Sequence, residues 1–318
     1  MPYKIADKLP STKATTVEIA DFIEIECLKK ENLKFSSLSA IKSVDVADDY
    51  QEDEVDEDDF VRDNVEEKRI DDAFDEVELR DKYCGSKYPF VLKNALIEAD
   101  FNNPTLSIVY IYLLLATRLK MGGKNMERTF NSIDGSLLFE KLCKIILSNF
   151  WGERSKSILF GTSASGGFSG KVEELIIELN EGGAFKNRNG VTPSANDDNL
   201  DVVVWNGFTD KRCSQLIGFA QCKTGDSWKE DLGQLNPGVF INRWFSDSTS
   251  INPINVFMVA DIVRDEFFTT ANGLLFFDRC RIMDYLPDSI DNSLLSEIKL
   301  WLKGAALKYQ LNISEILD

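Results

Sequence analysis

The chain has 318 residues, 43% of them hydrophobic, which is enough for one large core or two modest ones. It carries 36 lysines and arginines against 53 acids, a net charge of −17, so it cannot grip nucleic acid by bulk electrostatics. It contains no histidine, which excludes Ser-His-Asp and Cys-His catalysis and histidine–zinc chemistry. Hydrolysis on this chain would have to rest on carboxylates, amides, lysine and a hard cation. Six cysteines stand singly with no C-x-x-C pair, which fits a reducing cytoplasm better than a zinc site or a disulfide framework.

The opening, Met1 to Lys8, is too polar for a signal peptide. Thr15 or Thr16 can cap a helix running to about Lys30, with Ile19, Phe22, Ile23 and Leu28 near one face. Residues Ser36 to Val44 are expected to form a short element. Between Asp45 and Asp81 there are nineteen acids and four bases, a net −15, so the acidity of the chain belongs to one segment. Its first part, to Asp59, has few apolar residues and is expected to be a loop or disordered. From Phe60 to Lys82, Val65, Ile70, Phe74, Val77 and Leu79 alternate with acids as on an exposed amphipathic helix. Tyr88 to Glu98 reads as another helix. Pro104 then opens an apolar helix that Met121-Gly122-Gly123 ends; its run from Leu106 to Ala116 is too short to span a bilayer. Residues 1–121 are thus expected to form an acidic, all-helical accessory domain, whose plainest role is a scaffold or a partner-binding module.

Residues 122–318 read differently. After a linker from Gly122 to Asn131, Ser132 or Asp134 caps a helix reaching about Phe150, with Leu138, Phe139, Leu142, Ile145 and Ile146 as its core stripe. Glu140 lies at the edge of that stripe, near Cys143; its plain role is to offset the helix dipole. The Gly/Ser-rich stretch from Phe160 to Gly170 fails as a P-loop, because Ser165 stands where the first glycine belongs and Val172 follows Lys171. A helix is expected from Lys171 to Glu181, another from Asp226 to Leu235, strands over 254–260 and 273–277, and helices over 279–286 and 294–309.

The centre of this half is Asp201-Val-Val-Val-Trp205, a polar turn, and Leu216-Ile-Gly-Phe-Ala-Gln-Cys-Lys223, which together predict an antiparallel hairpin. Alternation puts Gln221 and Lys223 on one face and Cys222 on the other, and Asp201 can lie beside that pair across the hairpin. A structural Asp201–Lys223 salt bridge at a sheet edge is the bland account. Asp, a turn and then [Asp/Glu/Gln]-x-Lys on the next strand also resembles the PD-(D/E)XK phosphodiesterase superfamily, in its Gln-x-Lys branch that includes Mrr-type restriction nucleases. Gly135-x-x-x-Phe139-Glu140 upstream is similar to the helix that opens that family's core. The chain departs from the pattern at Leu200, where a proline is usual, and at Gln221, where an acid is commoner.

The resemblance covers roughly Asp134 to Leu286. It implies a restriction-endonuclease-like α/β/α core and a Mg²⁺- or Mn²⁺-dependent endonuclease acting on DNA. In that reading Asp201 and Gln221 bind the metal, the Cys222 carbonyl is a third ligand, Glu140 acts through a water, and Lys223 serves the attacking water or the phosphate. Prokaryotic nucleases with extra helical domains serve in restriction or anti-phage defence. That precedent implies a cytoplasmic protein with a partner subunit, such as a helicase or ATPase, or a homo-oligomer. Two further readings stand beside it. One is a degenerate nuclease fold that binds nucleic acid or a partner protein; the other is an interaction protein whose acidic segment mimics or repels nucleic acid.

Overall fold

The computed structural model describes residues 3–5, 10–41, 57–119, 121, 127–160, 167–188, 190, 198–225, 227–268 and 273–318. The acid run expected to be a loop therefore lies mostly outside the described residues. The chain divides into two compact units. The first comprises Met1–Gly135, Arg279–Asp284 and Leu295–Asp318, and the second Ser136–Asp278 and Tyr285–Leu294. The expected boundary at 121/122 thus moves to 135/136, and the C-terminal helix joins the first unit. No helix among the described residues is long and apolar enough to cross a membrane.

The first unit begins with α1 (Thr16–Lys29), closed at its start by a reciprocal capping box between Thr15 and Glu18. There follow β1 (Lys34–Ser36), α2 (Glu57–Tyr83), β2 (Phe90–Lys93), β3 (Leu96–Ala99) and α3 (Pro104–Arg118). The short β4 (Thr129–Phe130) and β5 (Ile133–Asp134) pair as a hairpin. The sequence predicts an all-helical unit; the structure corrects this, because β1, β3 and β2 form an antiparallel sheet in that order. The stretch read as a helix over 88–98 is a hairpin, in which Lys93 pairs with Leu96. Its two-residue turn needs φ > 0 at both positions, and Asn94 (φ 49°) and Ala95 (φ 56°) supply it. Alanine at such a position hides the turn, since the usual signal is Asn-Gly. The apolar run is a helix as expected, capped by Asn103 with Pro104 in its first turn, and every residue from Ser107 to Arg118 is buried.

The second unit contains α4 (Gly135–Trp151, entering from the first unit by one residue), β6 (Lys156–Leu159), α5 (Gly167–Leu179), β7 (Val202–Asn206) and β8 (Leu216–Lys223). A 3₁₀ turn (Trp228–Asp231), α6 (Pro237–Trp244), β9 (Ile254–Val259), α7 (Asp265–Phe268) and β10 (Leu275–Phe277) complete it. The chain ends with α8 (Arg279–Asp284), α9 (Asn292–Tyr309) and α10 (Ser314–Leu317). The predicted hairpin is present, with Val202 opposite Ala220 and Val204 opposite Gly218. It is the middle of a five-stranded sheet of order β10-β9-β8-β7-β6, antiparallel from β6 to β8 and parallel from β8 to β10. The helix expected over 226–235 shrinks to the 3₁₀ turn, because Gly233 takes φ 81°, and Asn236-Pro237 starts α6 instead.

Both sheet faces are covered. Val203, Trp205, Ile217 and Phe219 pack with Val172, Leu175 and Leu179 of α5 and with Phe240, Ile241 and Trp244 of α6. On the opposite face Gly218 gives room to Trp151 of α4, since a Cβ there would lie 2.7 Å from the indole. Gly218→Ala is therefore expected to cost about 1–3 kcal/mol by overpacking, read as a lowered urea midpoint at unchanged slope.

Candidate functional site

Asp201 stands one residue before β7, and its backbone is tied to both neighbouring strands. Its N–H donates to the Ala220 carbonyl at 2.9 Å, and the Phe160 N–H donates to its carbonyl at 2.7 Å. Its side chain is aimed along β8, where Oδ2 accepts the Cys222 N–H at 2.7 Å. The ladder that sets Val202 against Ala220 brings Asp201 level with Gln221.

Gln221 is fully buried, at 0% exposure. Neither its amide oxygen nor its amide nitrogen has a hydrogen-bond partner among the described residues. A buried polar group left this way costs about 1–3 kcal/mol, so its retention at the centre of a sheet calls for a ligand or a function. Two residues on, Lys223 keeps about a quarter of its side chain in solvent, and its Nζ lies 3.4 Å from Asp231 Oδ2. Asp231 belongs to the 3₁₀ turn and does not figure among the residues singled out from the sequence. Its segment reads there as an apolar helical stripe, and only the crossing of that turn over the end of β8 reveals the pairing.

Cys222 faces the other way. Its thiol is hydrogen-bonded to that of Cys143 in α4. Burial first, then that bond and the charges of Asp201 and Glu140, push the Cys222 thiol well above the usual range. Burial likewise raises Cys143. Both thiols stay protonated, so neither is a nucleophile. Glu140 thus shares the α4 side of the sheet with the two cysteines, whereas alternation carries Gln221 and Lys223 to the opposite side. Asp201, whose charge acts on both thiols and whose carboxylate reaches β8, sits where the two groups meet. The start of α4 is held at this end of the sheet by Ser136, whose hydroxyl is 3.4 Å from that of Thr224.

Among the described residues, no three His, Cys, Asp or Glu side chains are grouped to hold a metal ion. A hard cation would need the amide oxygen of Gln221 and a backbone carbonyl beside the Asp201 carboxylate, an oxygen set that Mg²⁺ accepts when water fills the remaining positions. The unpartnered Gln221 amide fits that demand. Comparison of the chain with protein-family models, with curated proteins and with solved structures finds no match.

Proposed function

We propose that the second unit is a metal-dependent nuclease of the PD-(D/E)XK type, hydrolysing phosphodiester bonds in DNA. The observation that carries this reading is the buried Gln221 amide with no hydrogen-bond partner, beside Asp201 and two residues from Lys223. The succession α4, β6, α5, β7, β8, α6 and β9, with β6 to β8 antiparallel and β9 parallel to β8, is compatible with the restriction-endonuclease-like core if α5 is an insertion between its first two strands. In this reading Asp201 and Gln221 hold a Mg²⁺ or Mn²⁺ ion, with the Cys222 carbonyl as a further oxygen, while Glu140, on the α4 side of the sheet, stays outside that set. The ion, when bound, supplies an acidified water and charge stabilisation at phosphorus. Lys223 neutralises the phosphoryl oxygens as charge builds on them, and Asp231 positions its ammonium. A partner subunit that delivers DNA would offset the acidity of residues 45–81, and a role in prokaryotic defence follows from the resemblance alone.

A binding-only module is the second reading. The Lys223–Asp231 pair favours it, because it gives Lys223 a structural reason to be there. Cleavage of supercoiled plasmid with added Mg²⁺ or Mn²⁺ separates the two. Lys223→Ala is expected to slow cleavage by about 10²–10³-fold while moving the thermal melt little, since an ion pair with about a quarter of each side chain in solvent is worth about 1 kcal/mol or less. Wild-type cleavage by Lys223→Ala would sink the site assignment.

A further inference from the structure

We propose that the groove along the free edge of β6 seats a single nucleic-acid strand, its phosphates on Lys144, Arg154, Lys156 and Lys211 and one unstacked base on Phe208. β6 ends the sheet and has no second strand beside it among the described residues. Two adjoining hollows of about 540 and 600 Å³ follow it and share Lys156, Glu178 and Trp205. The first runs from Phe160 to Lys156 between α4 and α5, past Lys144 and Lys171; the second continues past Arg154 to Phe208 and Lys211. Together they are lined by five bases and two acids, Glu174 and Glu178. The chain outside residues 45–81 carries only −2, so this edge is a local reversal of sign. Lys144, Arg154, Lys156 and Lys211 form no ion pair among the described residues, which leaves their charge available to phosphate.

Charge alone would suit any anion; the loop between β7 and β8 narrows the choice. Phe208 is 57% exposed, an aromatic ring standing in water among bases. Its turn is fixed on three sides. Lys211 N–H donates to the Phe208 carbonyl at 3.0 Å. Asn180 Nδ2 donates to the Lys211 carbonyl at 2.6 Å, and Arg154 donates to Thr209 Oγ1 at 3.5 Å. A rigid ring flanked by cations is a stacking platform for an unpaired base, which a duplex keeps inside its own stack. At the other end the groove reaches Phe160, whose N–H holds the Asp201 carbonyl, about 13 Å along the strand from Lys156. A strand lying there leads to the candidate site, so the proposal extends the nuclease reading by naming an unpaired strand as its substrate.

The test is fluorescence polarisation in EDTA with an end-labelled oligonucleotide of about 20 nucleotides, as DNA, as RNA and as blunt duplex, over a salt series. Single strands should bind more tightly than duplex, and the sugar that binds better identifies the substrate. Lys156→Glu with Lys211→Glu should weaken single-strand binding at least tenfold and flatten the log–log salt slope by about 1.4, two contacts at ~0.7 each. Phe208→Ala should weaken single-strand binding about tenfold and leave duplex binding alone. All three residues are exposed, so unchanged melts will show that folding is not the cause. The proposal fails if the double charge reversal leaves single-strand affinity within twofold of wild type. It also fails if duplex binds as well as single strand with no effect of Phe208. Because no metal is present, lost binding indicts the groove, whereas intact binding without cleavage indicts the metal site.

Discussion

Asp21→Asn is expected to destabilise the first unit by about 3–5 kcal/mol, a large part of what a domain of this size has. The change is nearly isosteric, so packing is not its cause. Asp21 is fully buried in α1, and its two oxygens accept hydrogen bonds from three arginines drawn from α2, α3 and α8. Arg80 Nη1 lies 2.7 Å from Oδ1, Arg279 reaches Oδ1 at 2.9 Å and Oδ2 at 3.1 Å, and Arg118 Nε donates to Oδ2. Burial alone would push this carboxyl up, but the charges of Arg279, Arg118 and Arg80 outweigh it and hold the carboxyl far below the usual range. Removing the charge leaves three buried guanidiniums facing Glu24, Glu18 and Glu76 with a neutral amide among them. The sign with pH follows from the depressed value. The Asp21 contribution is present above its unfolded pKa of about 3.9 and is lost as pH falls below that. Urea midpoints of wild type and variant should therefore differ most near neutral pH and converge in acid. Equal midpoints at pH 7 would show that the network contributes little.

That network was illegible in the sequence, and the reason is general. Asp21, Glu24, Arg80 and Arg118 look like the polar faces of amphipathic helices, because periodicity reports where apolar residues fall and not what lies opposite a charge. Arg279 is 258 residues from Asp21, so no local window contains the pair. Features fixed by near neighbours were readable. The capping residue Thr15, the start of α3 at Asn103-Pro104 and the β7–β8 hairpin all declare themselves within a few residues. Where a short signal was atypical, as in the Asn94-Ala95 turn, a hairpin passed for a helix. β6 was missed because Lys156-Ser-Ile-Leu159 is too short to show alternation. In the candidate site the opposed faces of Gln221 and Cys222 were legible from strand period alone. The thiol contact of Cys143 and the reach of Asp231 depend on tertiary crossings and were not.

Gln221→Leu is expected to raise stability while abolishing cleavage, and this opposition of sign is the sharpest consequence of the candidate site. Leucine matches the buried volume closely and removes two polar atoms that the fold leaves without hydrogen bonds. The metal-free protein should gain about 1–3 kcal/mol, the cost of burying such groups. The same change removes an oxygen from the proposed ligand set, so cleavage with Mg²⁺ should fall at least about 10²-fold, as for loss of a group that stabilises developing charge. Gln221→Glu completes the pair. A carboxylate in that buried place is costly without a cation and favourable with one, so the variant should melt lower in EDTA and recover more than wild type on adding Mn²⁺. If Gln221 is instead an inert core residue, Leu and Glu variants will shift stability but will show no metal-dependent difference from wild type. Calorimetry with Mn²⁺ on the three proteins reads this without any cleavage assay. A flat titration for wild type and Gln221→Glu alike would remove Gln221 from the ligand set, and with it the observation on which the nuclease reading rests.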